Sequence, residues 1–447
     1  MANRRRKIAR KAGASRHFLI SQTDCRRIGE APAYAVERIR NALLTAFPDV
    51  LTGERLEQES LERLRDHDRF GVMVLRPDEI QAADVPDNPG RDQDALAQMA
   101  ACLDAACRQT HGFWGIEGAG MLAGYWPDRE APECLELARS LQDEIRSRTG
   151  GTATAGVAVY PTLDYPRPQI LGNARKAVDH AAFFGPGSRV AFDAVSLNIS
   201  GDQSYERGDL PSAICEFEHA LALDPDHVNV HNSLGVCYAV LGNYDRALEQ
   251  FSAALRLDSG EHMAVYNIGM IHALTGRRDA ALGFFLKANA LRGDVFEILL
   301  QTGKLYLEMG QPQTARPFLE QAARLRARSG HVYRLLGDCY AAVGLPEKAI
   351  AAYKKAVKAN PADSAALSAL GCLFDERGEN PEIAMVFCKE SVRLVPDNPV
   401  FRRRLGGLYL KLNRLEEALA EFEQAGRLGY DAADDLRQIR ERMGGTN

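Results

Sequence analysis

Apolar and small residues recur along the second half of this chain with one spacing. Glycines stand at Gly201, Gly235, Gly269, Gly303, Gly337 and Gly371, each 34 residues after the last, and Gly406 follows after 35. Twelve residues beyond each of the first five is an alanine: Ala213, Ala247, Ala281, Ala315 and Ala349. Four further on comes a bulky residue (Phe217, Phe251, Phe285, Leu319, Tyr353), and three beyond that another alanine (Ala220, Ala254, Ala288, Ala322, Ala356). The sixth unit carries one extra residue near Asn380-Pro381, so Ala384 takes the first alanine slot; the seventh returns to register with Ala418, Phe422 and Ala425. A fixed period of this length predicts stacked two-helix units, because one hairpin cannot bury its own apolar face. Small residues belong where the two helices cross, and bulky ones fill the gap to the next hairpin. Turn signals such as Gly208-Asp209, Gly242-Asn243 and Gly276-Arg277 separate the helices, and Pro225, Pro361 and Pro396 end second helices.

The first half has no such period. Apolar runs at Phe70–Leu75, Thr154–Tyr160 and Arg189–Phe192 predict strands, and Gly112 to Trp126 predicts a hairpin. Helical patterns fit Tyr34–Ala46, Arg55–Arg65, Asp94–Gln109, Pro132–Arg146 and Pro168–Phe183. Strands alternating with helices of these lengths argue for an α/β sandwich with helices over one sheet. The expected organisation is a flexible basic tail (1–30), an α/β domain (31–193), seven helical hairpins (194–430), and a capping helix and tail (431–447).

Charge and cysteine usage narrow the function classes. The net charge of −5 suggests no general affinity for nucleic acid. No window reaches the roughly 18 unbroken apolar residues of a membrane span. The basic start (Arg4, Arg5, Arg6, Lys7, Arg10, Lys11) is not followed by an apolar core, so it does not read as a secretory signal. The nine cysteines form no C-x-x-C pair or zinc spacing, and read as small hydrophobes in a reducing cytosol. No phosphate-loop, metalloprotease or nucleophile-elbow motif occurs, so no catalytic residue, metal or cofactor is expected.

The 34-residue pattern resembles the tetratricopeptide repeat (TPR) family over about 240 residues. The resemblance implies a right-handed α-solenoid whose inner face is lined by the second, fifth, ninth, twelfth and thirteenth positions of each repeat, the glycine being the eighth. In the second repeat these include Asn229, Asn232, Val236 and Val240; in the third, Met263, Tyr266, Met270 and Leu274. Later repeats are more charged, with Lys304 and Arg334. These ten residues are the expected partner-binding set. The lysine–asparagine pairs of a carboxylate clamp are missing, so an amphipathic helix or an extended segment with bulky side chains is the expected occupant. The chain's own N-terminal half, or another copy, is the alternative occupant.

In the first half, Asp49-Val50-Leu51-Thr52-Gly53 resembles the D-x-L-T-G that opens GGDEF domains, the diguanylate cyclase family. Gly156 to Pro161 is similar to its late strand, Asn173 to Val178 to its last helix, and Gly185 to Val190 to the segment after it. Carried over position by position, the resemblance implies a domain without catalysis. Arg76 stands where the metal-binding Asp belongs, and Asp84 and Gln93 stand at the base-reading positions. Gly120 and Met121 replace the acidic pair of the signature hairpin, and Ala182 and Pro186 replace phosphate-contacting cations. The product-inhibition motif falls on Gln109 and Gly112. A small register shift would bring Glu117 towards the hairpin tip.

The expectation is therefore a cytoplasmic, bacterial, non-enzymatic adaptor. Its repeats bind a protein or peptide partner, and its dead GGDEF-like domain serves docking, dimerisation or regulation. A homodimer is one assembly this allows; nucleic acid and membrane insertion are not expected. The alternative is a signalling receptor whose first domain still binds GTP or a cyclic dinucleotide and controls the repeats.

Overall fold

The protein's structure is a computed structural model that describes residues 43–78, 89–378 and 381–444. The basic tail, most of the helix expected from Tyr34, Asp84 and the extra residue near Asn380 lie outside the described residues. The chain divides into two compact units, Met1–Asn267 and Ile268–Asn447.

The first unit begins with a six-stranded sheet. In chain order its elements are β1 (Leu51–Thr52), α1 (Gly53–Arg63), β2 (Phe70–Pro77), α2 (Pro89–Gln109), β3 (Phe113–Glu117), β4 (Met121–Pro127), α3 (Ala131–Thr149), β5 (Ala153–Tyr160), α4 (Gln169–Ala182) and β6 (Arg189–Ala191). The strand order is β1-β3-β4-β2-β5-β6. β2 lies at the centre, antiparallel to both neighbours, with Val72 opposite Tyr125 on one side and Ala158 on the other. Central placement with both faces covered explains why its sequence is an unbroken apolar run.

Alternation along the strands sorts the two faces. Met73, Leu75, Leu122, Trp126, Ala155 and Val157 join Leu96, Leu103 and Leu141 of α2 and α3 in one core. On the opposite face, Gly115 lies against Leu56 of α1 and Gly156 against the backbone of α4. Helices therefore cover both sides of the sheet. β1 was not legible as a strand; it is two residues long and exists only by pairing with Gly115 and Ile116.

The helical hairpins follow. The first unit holds α5 (Ala194–Glu206), α6 (Leu210–Leu223), α7 (Val228–Val240), α8 (Tyr244–Leu257) and the start of α9 (His262–Leu274). The second unit continues with α10 (Arg278–Leu291), α11 (Phe296–Glu308), α12 (Pro312–Leu325), α13 (Gly330–Ala342), α14 (Pro346–Ala359), α15 (Ser364–Glu376), α16 (Pro381–Leu394), α17 (Pro399–Lys411) and α18 (Leu415–Arg427). A final helix, α19 (Ala433–Gly444), buries Ile439 in the last core cluster, against the α17–α18 hairpin. The periodic residues do what their sizes suggest. A Cβ on Gly235 would sit 2.6 Å from the ring of Phe251, so only glycine lets α7 and α8 approach around that ring. Gly242, between the two helices, has φ +77°, the left-handed conformation that ends α7. Eight cysteines are described and all are free; burial pushes Cys107, Cys237 and Cys388 up to about 12, as expected of packing residues.

The compact first unit runs past the 193/194 change in architecture because α4 packs on both sides of it. On one side it lies along β5; on the other it holds the first hairpin. Lys176 of α4 is paired with Glu216 of α6 at 2.6 Å, with both side chains mostly buried. His180 of α4 meets Asp193 at 3.0 Å. Asp193 in turn caps α5, accepting from the Ser196 backbone at 2.8 Å in a capping box. Tyr165, from the loop before α4, packs its ring on Phe192 and His219.

Burial alone would raise the Asp193 carboxyl, but the His180 contact and the Ser196 bonds outweigh it and hold the group below the usual aspartate value. A carboxyl whose folded pKa lies below its unfolded one adds stability above the unfolded value, near pH 4, and loses it as pH falls through the folded one. The urea midpoint of the wild-type protein should therefore fall more steeply below about pH 4 than that of Asp193→Asn. Parallel profiles for the two proteins would show that this carboxylate is not part of the acid response.

Candidate protein-binding surface

The inner-face positions are read within each unit. In the first unit, Asn232 is fully buried and accepts a hydrogen bond from Asn267 Nδ2 at 3.0 Å, tying α7 to α9. Val236 is 2% exposed, Tyr266 1%, and Met263 is also buried. Asn229 is half-buried and Val240 is 37% exposed. Most of the apolar and amide-bearing positions expected on that face are thus covered in the chain as it stands.

In the second unit Met270 is half-buried and Leu274 is 59% exposed. The charged positions there neutralise one another. Lys304 lies 3.6 Å from Glu308. Arg334 lies 3.4 Å from Asp338 and 3.7 Å from Asp363. Burial raises the Asp338 carboxyl even though Tyr353 donates to it at 2.7 Å. Arg404 donates to Ser368 at 2.7 Å, and Lys411 pairs with Asp375 at the same distance. These pairs run along helices and between neighbouring repeats, so this stretch presents a balanced polar surface.

In the sheet domain, the positions taken from the cyclase resemblance do not gather a metal site. Arg76 pairs with Asp179 of α4 at 3.1 Å. Asp78 accepts from the Thr154 hydroxyl and from the Gly187 backbone at 2.7 Å. Glu117, at the end of β3, is buried and paired with Arg175 of α4. The tip between β3 and β4 is a single 3-10 turn, Gly118–Gly120. Ala182 ends α4, and Gln109 and Gly112 flank the turn before β3, with no charge to offer. Gln93 is on α2. Among the described residues no group of three or more His, Cys, Asp or Glu is placed to hold a metal ion.

A cavity of about 330 Å³ opens between α1, the β3–β4 edge and α4. Its lining mixes apolar side chains (Leu56, Leu61, Leu64, Ile116, Leu171) with the polar groups of Glu57, Ser60, Glu117, Tyr125, Arg167 and Arg175. Both arginines are committed. Arg175 holds Glu117, while Arg167 donates to the Leu64 and His67 carbonyls at 2.7 and 2.8 Å and lies over the Tyr160 ring. Sequence reading missed the Glu117–Arg175 pair and the Asn232–Asn267 bond. Each joins segments whose separation in the chain carries no signal of contact.

Tetratricopeptide repeat models match residues 201–262, 238–294 and 300–364, and a second such model matches residues 404–427. Those segments are tetratricopeptide repeats. No curated protein matches the chain. Solved structures similar to it include PilF of Pseudomonas aeruginosa (20% identity, 47% of this chain and 95% of that one, TM-score 0.43). YrrB, described as a TPR protein with an unusual peptide-binding site, aligns at 20% identity over 41% of this chain and 95% of its own, with TM-score 0.38. A tetratricopeptide repeat protein of Parabacteroides merdae aligns at 16% identity over 55% of this chain and 96% of its own, with TM-score 0.39. Among the described residues no helix is long and apolar enough to cross a membrane.

Proposed function

We propose that this chain is a non-catalytic adaptor. Its repeat array binds a protein partner through the inner face, and its sheet domain, a catalytically inert relative of GGDEF domains, anchors and regulates the array. The observation that carries the reading is the repeat array itself, since tetratricopeptide repeats generally mediate protein–protein interactions. Asn229, Asn232, Val236, Val240, Met263, Tyr266, Met270, Leu274, Lys304 and Arg334 remain the proposed lining.

Three things support the inert-domain part. The segments that resemble the cyclase family fall, in the family's order, on β1, the β3–β4 hairpin, β5, α4 and β6. The acids nearest the expected metal positions are consumed by Thr154, Gly187 and Arg175. The last helix of the domain packs on the first hairpin, which serves docking and caps the exposed end that a repeat array otherwise has to protect. The nucleotide-binding alternative has the cavity beside α4 in its favour, but a triphosphate would find both arginines there already occupied.

The test uses the full chain as bait in its native cell, beside Val240→Asp and Leu274→Asp, two changes at exposed positions of the inner face. The principal partner should be retained by the wild type and lost at least tenfold from one or both variants. The same protein with GTP and magnesium or manganese should yield no cyclic dinucleotide. Identical partners for all three baits, or turnover abolished by Glu117→Gln, would refute the reading.

A further inference from the structure

The cavity between α1, the β3–β4 edge and α4 has no part in binding a protein on the repeats. It lies on the face of the sheet opposite α2 and α3. Neither Arg76 nor Asp78 lines it, so it is not the nucleotide site that the cyclase resemblance would supply. Its volume of about 330 Å³ is at the small end of the range for ligand pockets, roughly 300–1,000 Å³. Two glycines keep it open. Leu171, Gly172 and Arg175 share one stripe of α4, and all three line the cavity. Glycine is a poor helix former, yet close packing does not call for it at Gly172. A Cβ on Gly156 would strike the α4 backbone, whereas a Cβ on Gly172 would meet nothing within 4 Å. The same holds for Gly118, which lines the cavity from the 3-10 turn. A long side chain at either position would take up the space.

The polar groups narrow what the cavity can hold. Two carboxylates (Glu57, Glu117) and two guanidiniums (Arg167, Arg175) line it, so their charges cancel. Arg167 spends its Nη1 on two carbonyls and lies over the Phe70 and Tyr160 rings. The Ser60 hydroxyl donates to the Glu57 carbonyl at 2.8 Å. Glu117 is 9% exposed, and Arg175 contacts its Oε1. Among the described residues nothing donates a hydrogen bond to Glu117 Oε2. A buried carboxylate is costly unless its oxygens are hydrogen-bonded, so this oxygen is left for a donor in the cavity. A charged ligand would give up its hydration to walls of leucine and isoleucine and to a lining of no net charge. An uncharged one loses far less.

We propose that this cavity binds an uncharged, mainly apolar small molecule that donates a hydrogen bond to Glu117. At ordinary packing density the space suits a body about the size of two or three fused rings. That body lies against Leu56, Ile116 and Leu171, and its hydroxyl, amine or amide proton goes to Glu117 Oε2. The Glu117–Arg175 pair stays intact and sets the ligand's orientation. The ligand is seated on α4, whose later turns hold Lys176 and His180 against the first hairpin. Occupancy is therefore placed to act on the junction between the sheet domain and the repeats. The proposal does not depend on the inner face of the repeats binding a partner, and either can fail alone.

Titration of the full chain with 1-aminoanthracene, an uncharged aromatic amine that brightens in apolar surroundings, provides the test. Emission should rise and saturate at one molecule per chain, with a Kd below about 100 µM. Gly172→Phe fills the cavity from α4 and should weaken binding at least tenfold, with the tryptophan urea transition of the sheet domain kept. Gly118→Leu fills it from the turn and should also weaken binding, so the test survives if α4 does not tolerate the ring. The dimethylamino derivative, which has no N–H to donate, should bind at least fivefold more weakly than the amine. Anthracene-1-sulfonate, an anion of similar size, should show no binding that depends on Gly172. No saturable rise, or binding unchanged in both glycine variants, would overturn the proposal. Equal affinity for the dimethylamino derivative would remove Glu117 as the acceptor, and sulfonate binding that is lost with Gly172→Phe would overturn the uncharged class. The Val240 and Leu274 baits report a protein partner on the repeats and are read separately.

Discussion

Replacing Gly156 by alanine is expected to lower the stability of the sheet-bearing unit by about 3 kcal/mol or more. A Cβ at this position would lie 2.2 Å from the Ala174 carbonyl oxygen and 2.3 Å from the Val178 nitrogen. Both are backbone atoms of α4, so no rotamer change relieves the contact, and the helix must lift off the sheet. The same helix carries Lys176 and His180 to the first hairpin, so the damage should spread to α5 and α6. The chain has two tryptophans, Trp114 and Trp126, both in the sheet. Their fluorescence therefore follows the sheet domain alone, while far-ultraviolet circular dichroism follows mainly the helices. The tryptophan transition should move to much lower urea in Gly156→Ala, with the early part of the helical transition. An unmoved tryptophan midpoint would show that α4 is not seated on β5 at this glycine.

Phe251→Ala should cost about 3–5 kcal/mol, the range for removing a fully buried aromatic side chain. The Phe251 ring is buried between α7 and α8 and fills the space that Gly235 leaves open. Alanine would leave a void lined by Gly235, Ala247 and Ala254, side chains too small to close it. In an array whose units are held by their neighbours, the second repeat would then open before the rest, and the helical transition should broaden. Phe251→Leu is the informative control. Leucine already holds this place in the fourth repeat as Leu319, over Gly303, so that change should cost only about 1 kcal/mol. Equal losses for Ala and Leu would mean that the ring is valued for something other than filling this gap.

Local contacts are why so much of the array was legible. Gly235 meets Phe251 sixteen residues later, inside one unit, and the other units repeat that meeting except the sixth, where Gly371 meets Cys388. A rule confined to 34 residues and repeated along the array leaves a period that can be read directly. The strands of the first domain were legible for a related reason, since β2 and β5 are apolar on both faces. The two-residue strand β1 was not, because nothing in Leu51-Thr52 marks it apart from its pairing with β3. Nor did the pattern of α4 reveal two packing partners; helical periodicity shows an apolar face and cannot say what else the helix touches.

The candidate site divides along the same line. The sequence by itself set an expectation of which side chains line the inner face, from the position each holds in the repeat. The proposed cyclase resemblance, with its missing acids, likewise rests on identities at positions, which need no coordinates. Tertiary structure decided which of those side chains are open. Val240 and Leu274 are exposed while Val236 and Tyr266 are closed, although all four follow the same rule of position. Exposure depends on every atom nearby, including atoms supplied by chain far away in sequence, and a local period cannot carry that information.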